Sequence, residues 1–175
     1  MHQTAKRSPF EDAANRVRIA GVRAGDKVLD VCTGLGYSAI AAAEKGARVT
    51  TIEADENVLE LAKQNSSSKK LFENKSIKII VGDALEKITE FDDGEFNEIL
   101  HDPPRFSFAG ELYSLAFYRE LFRVLKRGGK LYHYTGTPGE KRGKGIRQGV
   151  ARRLAEAGFK KIAWNEESLG FTAVK

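Results

Sequence analysis

The chain has 175 residues, 41% hydrophobic and 30% charged, which is a globular composition sized for one domain with a substantial core. Its single cysteine, Cys32, excludes an intramolecular disulfide framework. No apolar run approaches the roughly 20 residues that cross a bilayer, and residues 1–8 lack the apolar core of a signal peptide, so a cytoplasmic protein with no membrane partner is expected. The net charge of +5 is unevenly placed, since residues 141–175 hold 9 Lys/Arg against 3 Asp/Glu while residues 1–140 hold 20 against 21.

Ser8-Pro9-Phe10-Glu11 predicts a helix start, with Ser8 as cap, Pro9 in the first turn and Glu11 closing a capping box. Val17, Ile19, Ala20 and Val22 carry that helix to Gly25-Asp26, a turn into a buried strand over 27–31. A glycine-bearing loop and a helix through 39–45 follow, then a β-branched strand over 48–53 and a helix over 56–64. Residues 65–75 read as a polar loop or frayed helix end. A strand over 77–81, a short helix over 84–89 and a strand over 96–100 come next. An amphipathic helix over 111–126 is expected to stop at Arg127-Gly128-Gly129, before a strand over 130–134. A loop over 136–145, a helix over 146–157 and strands over 160–164 and 170–174 complete the chain. The alternation of strands and helices predicts an α/β fold with a largely parallel sheet covered on both faces. The organisation expected is an N-terminal segment and helix over 1–24, followed by one domain over 25–175.

Three strand ends carry acids. Asp30 lies near the end of the first strand, just before Cys32-Thr33-Gly34-Leu35-Gly36-Tyr37, where glycines let the backbone approach a ligand closely. Gly34-x-Gly36-x-x-Ala39 also fits a loose dinucleotide fingerprint, but a carboxylate at that strand end disfavours a pyrophosphate and suits an ammonium group. Glu53 ends the second strand, where it can accept from ribose hydroxyls, and Asp83 follows the third, where it can accept from an adenine amino group. Asp30 and Asp83 could alternatively do no more than cap the helices that follow them.

These motifs resemble those of class I S-adenosylmethionine-dependent methyltransferases, and the resemblance covers essentially the whole chain. It implies a Rossmann-like seven-stranded sheet of order 3-2-1-4-5-7-6 with strand seven antiparallel, and S-adenosyl-L-methionine as cofactor. It places Asp30, Cys32, Thr33, Gly34, Gly36, Tyr37, Glu53, Ala54, Asp83 and Ala84 around that cofactor.

Asp102-Pro103-Pro104-Arg105-Phe106-Ser107 follows the fourth strand. Two consecutive prolines stiffen the backbone. Asp102 and the Pro103 carbonyl could accept both hydrogens of a substrate amine and aim its lone pair for in-line displacement. The segment resembles the Asp/Asn-Pro-Pro-aromatic motif of amino-methylating nucleic-acid methyltransferases, with Arg105 in the aromatic's place and Phe106 one residue later. It also resembles large-subunit ribosomal RNA methyltransferases and a family of predicted archaeal methyltransferases. Asp102, Pro103 and Pro104 are therefore the candidate catalytic residues. Cytosine C5 chemistry, which needs a cysteine nucleophile, is disfavoured because Cys32 lies in the cofactor loop. No cluster has metal-ligand spacing.

His101 is expected to point into the layer opposite Asp102 as a structural residue, whereas Arg105, Phe106, His133 and Tyr134 are candidate substrate contacts. Residues 141–153 hold six basic side chains and no acid, so Lys141, Arg142, Lys144 and Arg147 are expected to hold a polyanionic partner. The reading favoured is methylation of a nitrogen of ribosomal or transfer RNA. The alternatives are a small-molecule methyltransferase or aminopropyltransferase, a NAD-linked oxidoreductase and a non-catalytic cofactor-binding subunit. The sequence leaves monomer and homodimer equally open.

Overall fold

The computed structural model describes residues 8–136 and 140–175, without the side chains of 140–144. Its sheet holds seven strands: β1 (Lys27–Val31), β2 (Arg48–Glu53), β3 (Ile77–Val81), β4 (Phe96–His101), β5 (Leu125–Tyr134), β6 (Lys160–Asn165) and β7 (Gly170–Val174). They run in the order β3-β2-β1-β4-β5-β7-β6, with β7 antiparallel to both β5 and β6 and the other pairs parallel. This is the expected Rossmann-like order. Among the described residues no helix is long and apolar enough to cross a membrane.

Helices cover both faces. On one, α1 (Pro9–Ala20), α2 (Tyr37–Glu44), α3 (Glu56–Gln64) and α4 (Lys69–Glu73) bury Val17, Ala20, Ile40, Ala62 and Leu71 against Val28, Val49, Leu100 and Tyr132. On the other, α5 (Ala84–Lys87), α6 (Leu115–Val124) and α7 (Glu140–Glu156) bury Ala84, Phe117, Leu121, Val150 and Leu154 against Leu29, Val31, Ile99 and Leu131. Successive strand side chains alternate between these layers, which is why each strand feeds both cores.

The helix starts follow their sequence signals. Ser8 Oγ accepts from the Glu11 N–H at 3.2 Å while Glu11 Oε2 accepts from the Ser8 N–H at 2.8 Å, so the two satisfy each other's backbone groups. Residues 65–75 are more ordered than a loop, because α4 forms there and buries Leu71. The other differences surround β5. Helix α6 ends at Val124, and Arg127-Gly128-Gly129 lies inside the strand rather than stopping a helix. The pairing with β4 slips between Phe96 and Glu98, Gly128 takes a φ of +79°, and a Cβ on Gly129 would fall 2.5 Å from the Asn97 carbonyl oxygen. The glycines thus accommodate an irregular strand and a close backbone approach. Helix α7 begins at Glu140, so the basic stretch expected as a loop up to residue 145 is helical from Glu140 onward.

Candidate functional site

All parallel strands end on one side, and the loops leaving β1, β2, β3 and β4 meet there. The loop after β1 opens sharply. Cys32 has a φ of +71°, a left-handed conformation rare for a residue with a Cβ. The turn is fixed from β2, because the Cys32 and Thr33 N–H groups both donate to the Ile52 carbonyl at 3.1 and 3.0 Å. Gly34 and Gly36 follow with φ of +55° and +78°. A Cβ on Gly34 would meet nothing within 4 Å, whereas one on Gly36 would lie 2.6 Å from Leu71 Cδ2. Gly34 therefore faces open space and Gly36 is clamped by α4. Tyr37 starts α2 and is held from two sides, its hydroxyl accepting from Asn65 Nδ2 at 2.9 Å and its ring meeting Phe10 at 4.6 Å.

Carboxylates line the strand ends. Asp30 is buried; its Oδ2 accepts from Thr51 Oγ1 at 2.7 Å. Thr51 spends its only proton there, so the 2.6 Å contact between Thr33 and Thr51 has Thr33 as donor. Asp30 Oδ1 is buried and has no hydrogen-bond partner among the described residues. Burial raises the Asp30 carboxyl to about 7; the Thr51 hydrogen bond opposes this and Asp102 and Glu53 add to it. Glu53 reaches back to the loop, accepting from the Gly34 N–H at 2.8 Å and the Asp55 N–H at 3.1 Å. Asp83 is exposed and caps α5 by accepting from the Leu85 N–H at 2.8 Å, so its capping reading is realised. Ala54 is exposed beside Glu53, and Ala84 is buried at the start of α5. Burial, then Glu53, Asp102, Asp30 and Asp83, raises the Cys32 thiol far above its ordinary range, which leaves it a neutral, unreactive group.

Asp102 leaves β4 toward the same pole, with its backbone N–H bonded to the Val31 carbonyl at 3.2 Å. Its side chain is held by a residue that sequence reasoning missed. Arg16 of α1 is 2% exposed and places Nη1 2.5 Å from Asp102 Oδ2 and Nη2 2.7 Å from Asp12 Oδ2. The Arg16 guanidinium also lies 4.0 Å from the centre of the Tyr134 ring. Burial alone would lower its pKa, but Asp102, Tyr132 and Asp12 outweigh burial and raise it. Pro103 is buried and Pro104 exposed, and the Pro104 carbonyl accepts from the Tyr113 hydroxyl at 3.0 Å. Arg105 is exposed, Phe106 is 44% exposed against the Tyr113 ring, and Phe108 is 82% exposed.

The methyltransferase domain family matches residues 28–129. This chain belongs to that family. An uncharacterized protein of Methanocaldococcus jannaschii is 54% identical over 176 residues, covering 100% of this chain and 61% of that protein. The chain thus spans about three fifths of that relative's length. In fold it is similar to a SAM-dependent methyltransferase from Aquifex aeolicus, with a TM-score of 0.68 at 20% identity over 97% of this chain and 94% of the other. It is similar also to spermidine synthase from Thermotoga maritima, with a TM-score of 0.69 at 18% identity over 93% and 59%.

S-adenosylmethionine is the cofactor of this methyltransferase family and fold, and the residues present fit it. Gly34 leaves open space at the loop, Asp30 offers a buried, unpaired carboxylate oxygen to a cation, and Glu53 and Asp83 hold acceptors at the next two strand ends. Among the described residues no group of three or more His, Cys, Asp or Glu is placed to hold a metal ion.

Not every expected contact converges. His133 is fully buried in the α6 layer rather than facing substrate, because it pairs in register with His101 and shares its direction. His101 Nε2 donates to the Leu112 carbonyl at 3.0 Å, while His133 Nδ1 donates to the His101 carbonyl at 3.3 Å and its Nε2 accepts from Tyr118 at 2.8 Å. Burial lowers His101 to about 4, and burial with His101 beside it lowers His133 well below the usual range. Tyr134 is engaged by Arg16 at the edge of the site. Arg147 stacks 4.4 Å over the Trp164 ring and lies 3.4 Å from Glu166. Arg152 pairs with Glu156 at 3.6 Å and Arg153 Nε donates to the Tyr113 carbonyl at 2.7 Å. The side chains of Lys141, Arg142 and Lys144 lie outside the described residues.

Proposed function

We propose that this methyltransferase domain methylates a nitrogen of RNA, presented as an amino group to the loop after β4. The observation that carries this reading is the Asp102-Pro103-Pro104 turn, with its carboxylate fixed by Arg16 and exposed Phe106 and Phe108 beside it. S-adenosylmethionine, when bound, supplies an electrophilic methyl group. The chain's own task is then to position the nucleophile. Arg16 engages Asp102 Oδ2, so Oδ1 and the Pro103 carbonyl serve as the pair of acceptors for the amine's hydrogens. Two fixed acceptors leave the lone pair one direction in which to point. The exposed aromatic rings offer stacking faces for a base, worth about 1–3 kcal/mol per stacked base. Residues 141–153 supply positive charge for the phosphate backbone.

A second reading rests on the site's charge. Asp30, Glu53, Asp83 and Asp102 surround the loop and suit a small cationic substrate taken by a methyl- or aminopropyltransferase. One experiment separates the two. The protein is incubated with labelled S-adenosylmethionine and, in parallel, with bulk transfer RNA, ribosomal RNA and a panel of small amines. Label in RNA that disappears with Asp102→Asn supports the RNA reading. Label only in small amines supports the second reading and removes the first.

A further inference from the structure

Sequence order makes residues 1–140 look electrically balanced, but the fold sorts their charges. The carboxylates Asp30, Glu53, Asp83 and Asp102 gather at the strand-end pole. The opposite pole, where the parallel strands begin, carries two shallow concavities of about 280 and 300 Å³. Arg23, Lys126, Arg127 and Lys130 line the first, with Asp26 and Glu98 as its acids. Lys27, Arg48, Lys75 and Lys78 line the second, with Glu95 as its acid. Eight cations thus face three carboxylates. Among the described residues only Lys27 of these eight brings its side-chain charge within 4 Å of a carboxylate, Glu95 at 3.7 Å, while Arg23 and Lys130 reach Asp26 and Glu98 through backbone N–H groups. Burial raises the Glu98 carboxyl to about 7, so one of the three acids is not fully charged near neutrality.

The two concavities lie on opposite faces of the sheet's edge. Glu98 pairs with Val28, which packs under α1 and α2, whereas Thr50 pairs with Leu29, which packs under α6. They join through Asn97, whose Oδ1 accepts from the Lys27 N–H at 2.9 Å and from Lys126 Nζ at 3.1 Å. The result is one continuous basic rim. Gly128 lines its first concavity, is exposed and has nothing within 4 Å of where a Cβ would stand, so it leaves backbone accessible there.

We propose that this strand-start rim is a binding surface for the phosphate backbone of a folded RNA, separate from the site at the strand ends. The identity of the polyanion rests on the RNA reading above; the rim itself does not. Cations lining concave ground, all but Lys27 without a side-chain ion pair among the described residues, match a phosphate backbone, which gains affinity mainly by releasing counterions. None of the large exposed apolar side chains among the described residues lines either concavity, so the rim lacks the apolar anchor of a membrane surface. The charge segregation also gives the arrangement a purpose. The carboxylates at the strand ends add no affinity for a phosphate backbone, and a basic rim at the other pole holds that backbone while a base reaches Asp102.

The test is fluorescence anisotropy with a labelled RNA hairpin, titrated across salt concentrations, alongside methyl transfer to that RNA and to small amines. The triple variant Arg48→Ala, Lys78→Ala, Arg127→Ala should bind roughly tenfold or more weakly. Its log–log salt slope should fall by about 2, at about 0.7–0.9 per lost phosphate contact. Cofactor affinity should stay at the wild-type value, showing that the variant folds. The charge-conserving triple Arg48→Lys, Lys78→Arg, Arg127→Lys should retain binding. Wild-type slope and affinity in the alanine triple, with RNA still methylated, overturn the rim and leave the RNA substrate standing. No hairpin binding by the wild type also overturns it, and label in small amines alone then overturns the RNA substrate separately. Competition by polyaspartate as strong as by unlabelled RNA overturns the nucleic-acid assignment and points to an acidic polypeptide.

Discussion

Arg16 Nη1 lies 2.5 Å from Asp102 Oδ2, joining the first helix to the loop that carries the proposed reaction. The second arm of the guanidinium reaches Asp12, so one buried cation serves two carboxylates. Removing the cation takes away the charge that faces both acids in a poorly solvated place. Breaking a buried pair in this way typically costs about 3–5 kcal/mol. Arg16→Met should lose stability on that scale in urea unfolding. Arg16→Met with Asp12→Leu should recover part of the loss, because one stranded charge is gone. Equal stability of Arg16→Met and wild type would show that the pair contributes nothing.

Asp102→Asn keeps the shape of the side chain but weakens its acceptor at the proposed amine site. Turnover should fall while cofactor affinity is preserved, since the proposed task of Asp102 is to aim the nucleophile rather than to hold the cofactor. The comparison needs calorimetric titration with S-adenosylmethionine beside single-turnover methyl transfer. Loss of cofactor binding with normal turnover at saturation would move Asp102 into the cofactor site.

Gly36→Ala faces two obstacles at once. Its φ of +78° is costly for alanine, and the new Cβ would lie 2.6 Å from Leu71 Cδ2. Alanine at a positive φ destabilises by more than about 1 kcal/mol. The double variant Gly36→Ala, Leu71→Ala should not recover full stability, because it removes the clash and not the backbone strain, and it adds a cavity. Thermal unfolding of the three variants checks this. Gly34→Ala, with open space around its Cβ, should disturb the fold less and cofactor binding more.

The strands themselves, the glycine loop and the strand-end acids were legible because each depends on local pattern: β-branched runs, glycines in turns, acids after strands. The order of the strands in the sheet is not local and came only with the family resemblance. Arg16 was not, although its signal exists. Asp12 and Arg16 fall on the same helical stripe as Ala13, Val17 and Ala20, which places charge on the buried face of α1. A charged pair on an apolar face reads as an interruption until its partner, Asp102, is brought across from residue 102 by the fold. His133 illustrates a second limit. Its direction depends on strand register with His101, and register is a long-range property. The basic rim is a third case, because its cations come from four separated stretches of chain, around residues 23–27, 48, 75–78 and 126–130, that only the sheet brings together. Residues 147–153 show a further limit, since a run of cations in the sequence does not reveal that Arg147, Arg152 and Arg153 also contact their own fold.

Asp30 makes a prediction about pH. Its carboxyl is raised to about 7, chiefly by burial, from the 3.8 of an unburied carboxyl. Between those values the folded protein holds a proton that the unfolded chain has lost. Stability contributed by this group therefore falls as pH rises from about 4 to about 7 and is level above that. His101 and His133 act in the opposite sense, since burial keeps them neutral and folding stability is lost as pH falls below the unfolded histidine range. Asp30→Asn isolates the first effect. The amide oxygen can still accept from Thr51, but the side chain cannot ionise. The stability of Asp30→Asn relative to wild type should grow across pH 4–7 by an amount on the order of a few kcal/mol, and stay constant above. Urea unfolding of both proteins at steps of pH measures it. Binding of a cation beside Oδ1 would favour the ionised carboxylate, so cofactor binding near pH 6.5 should release protons from the wild type that Asp30→Asn does not release. Calorimetry in buffers of differing ionisation enthalpy reads that release directly. The same proton count in both proteins would place the cofactor's ammonium group away from Asp30.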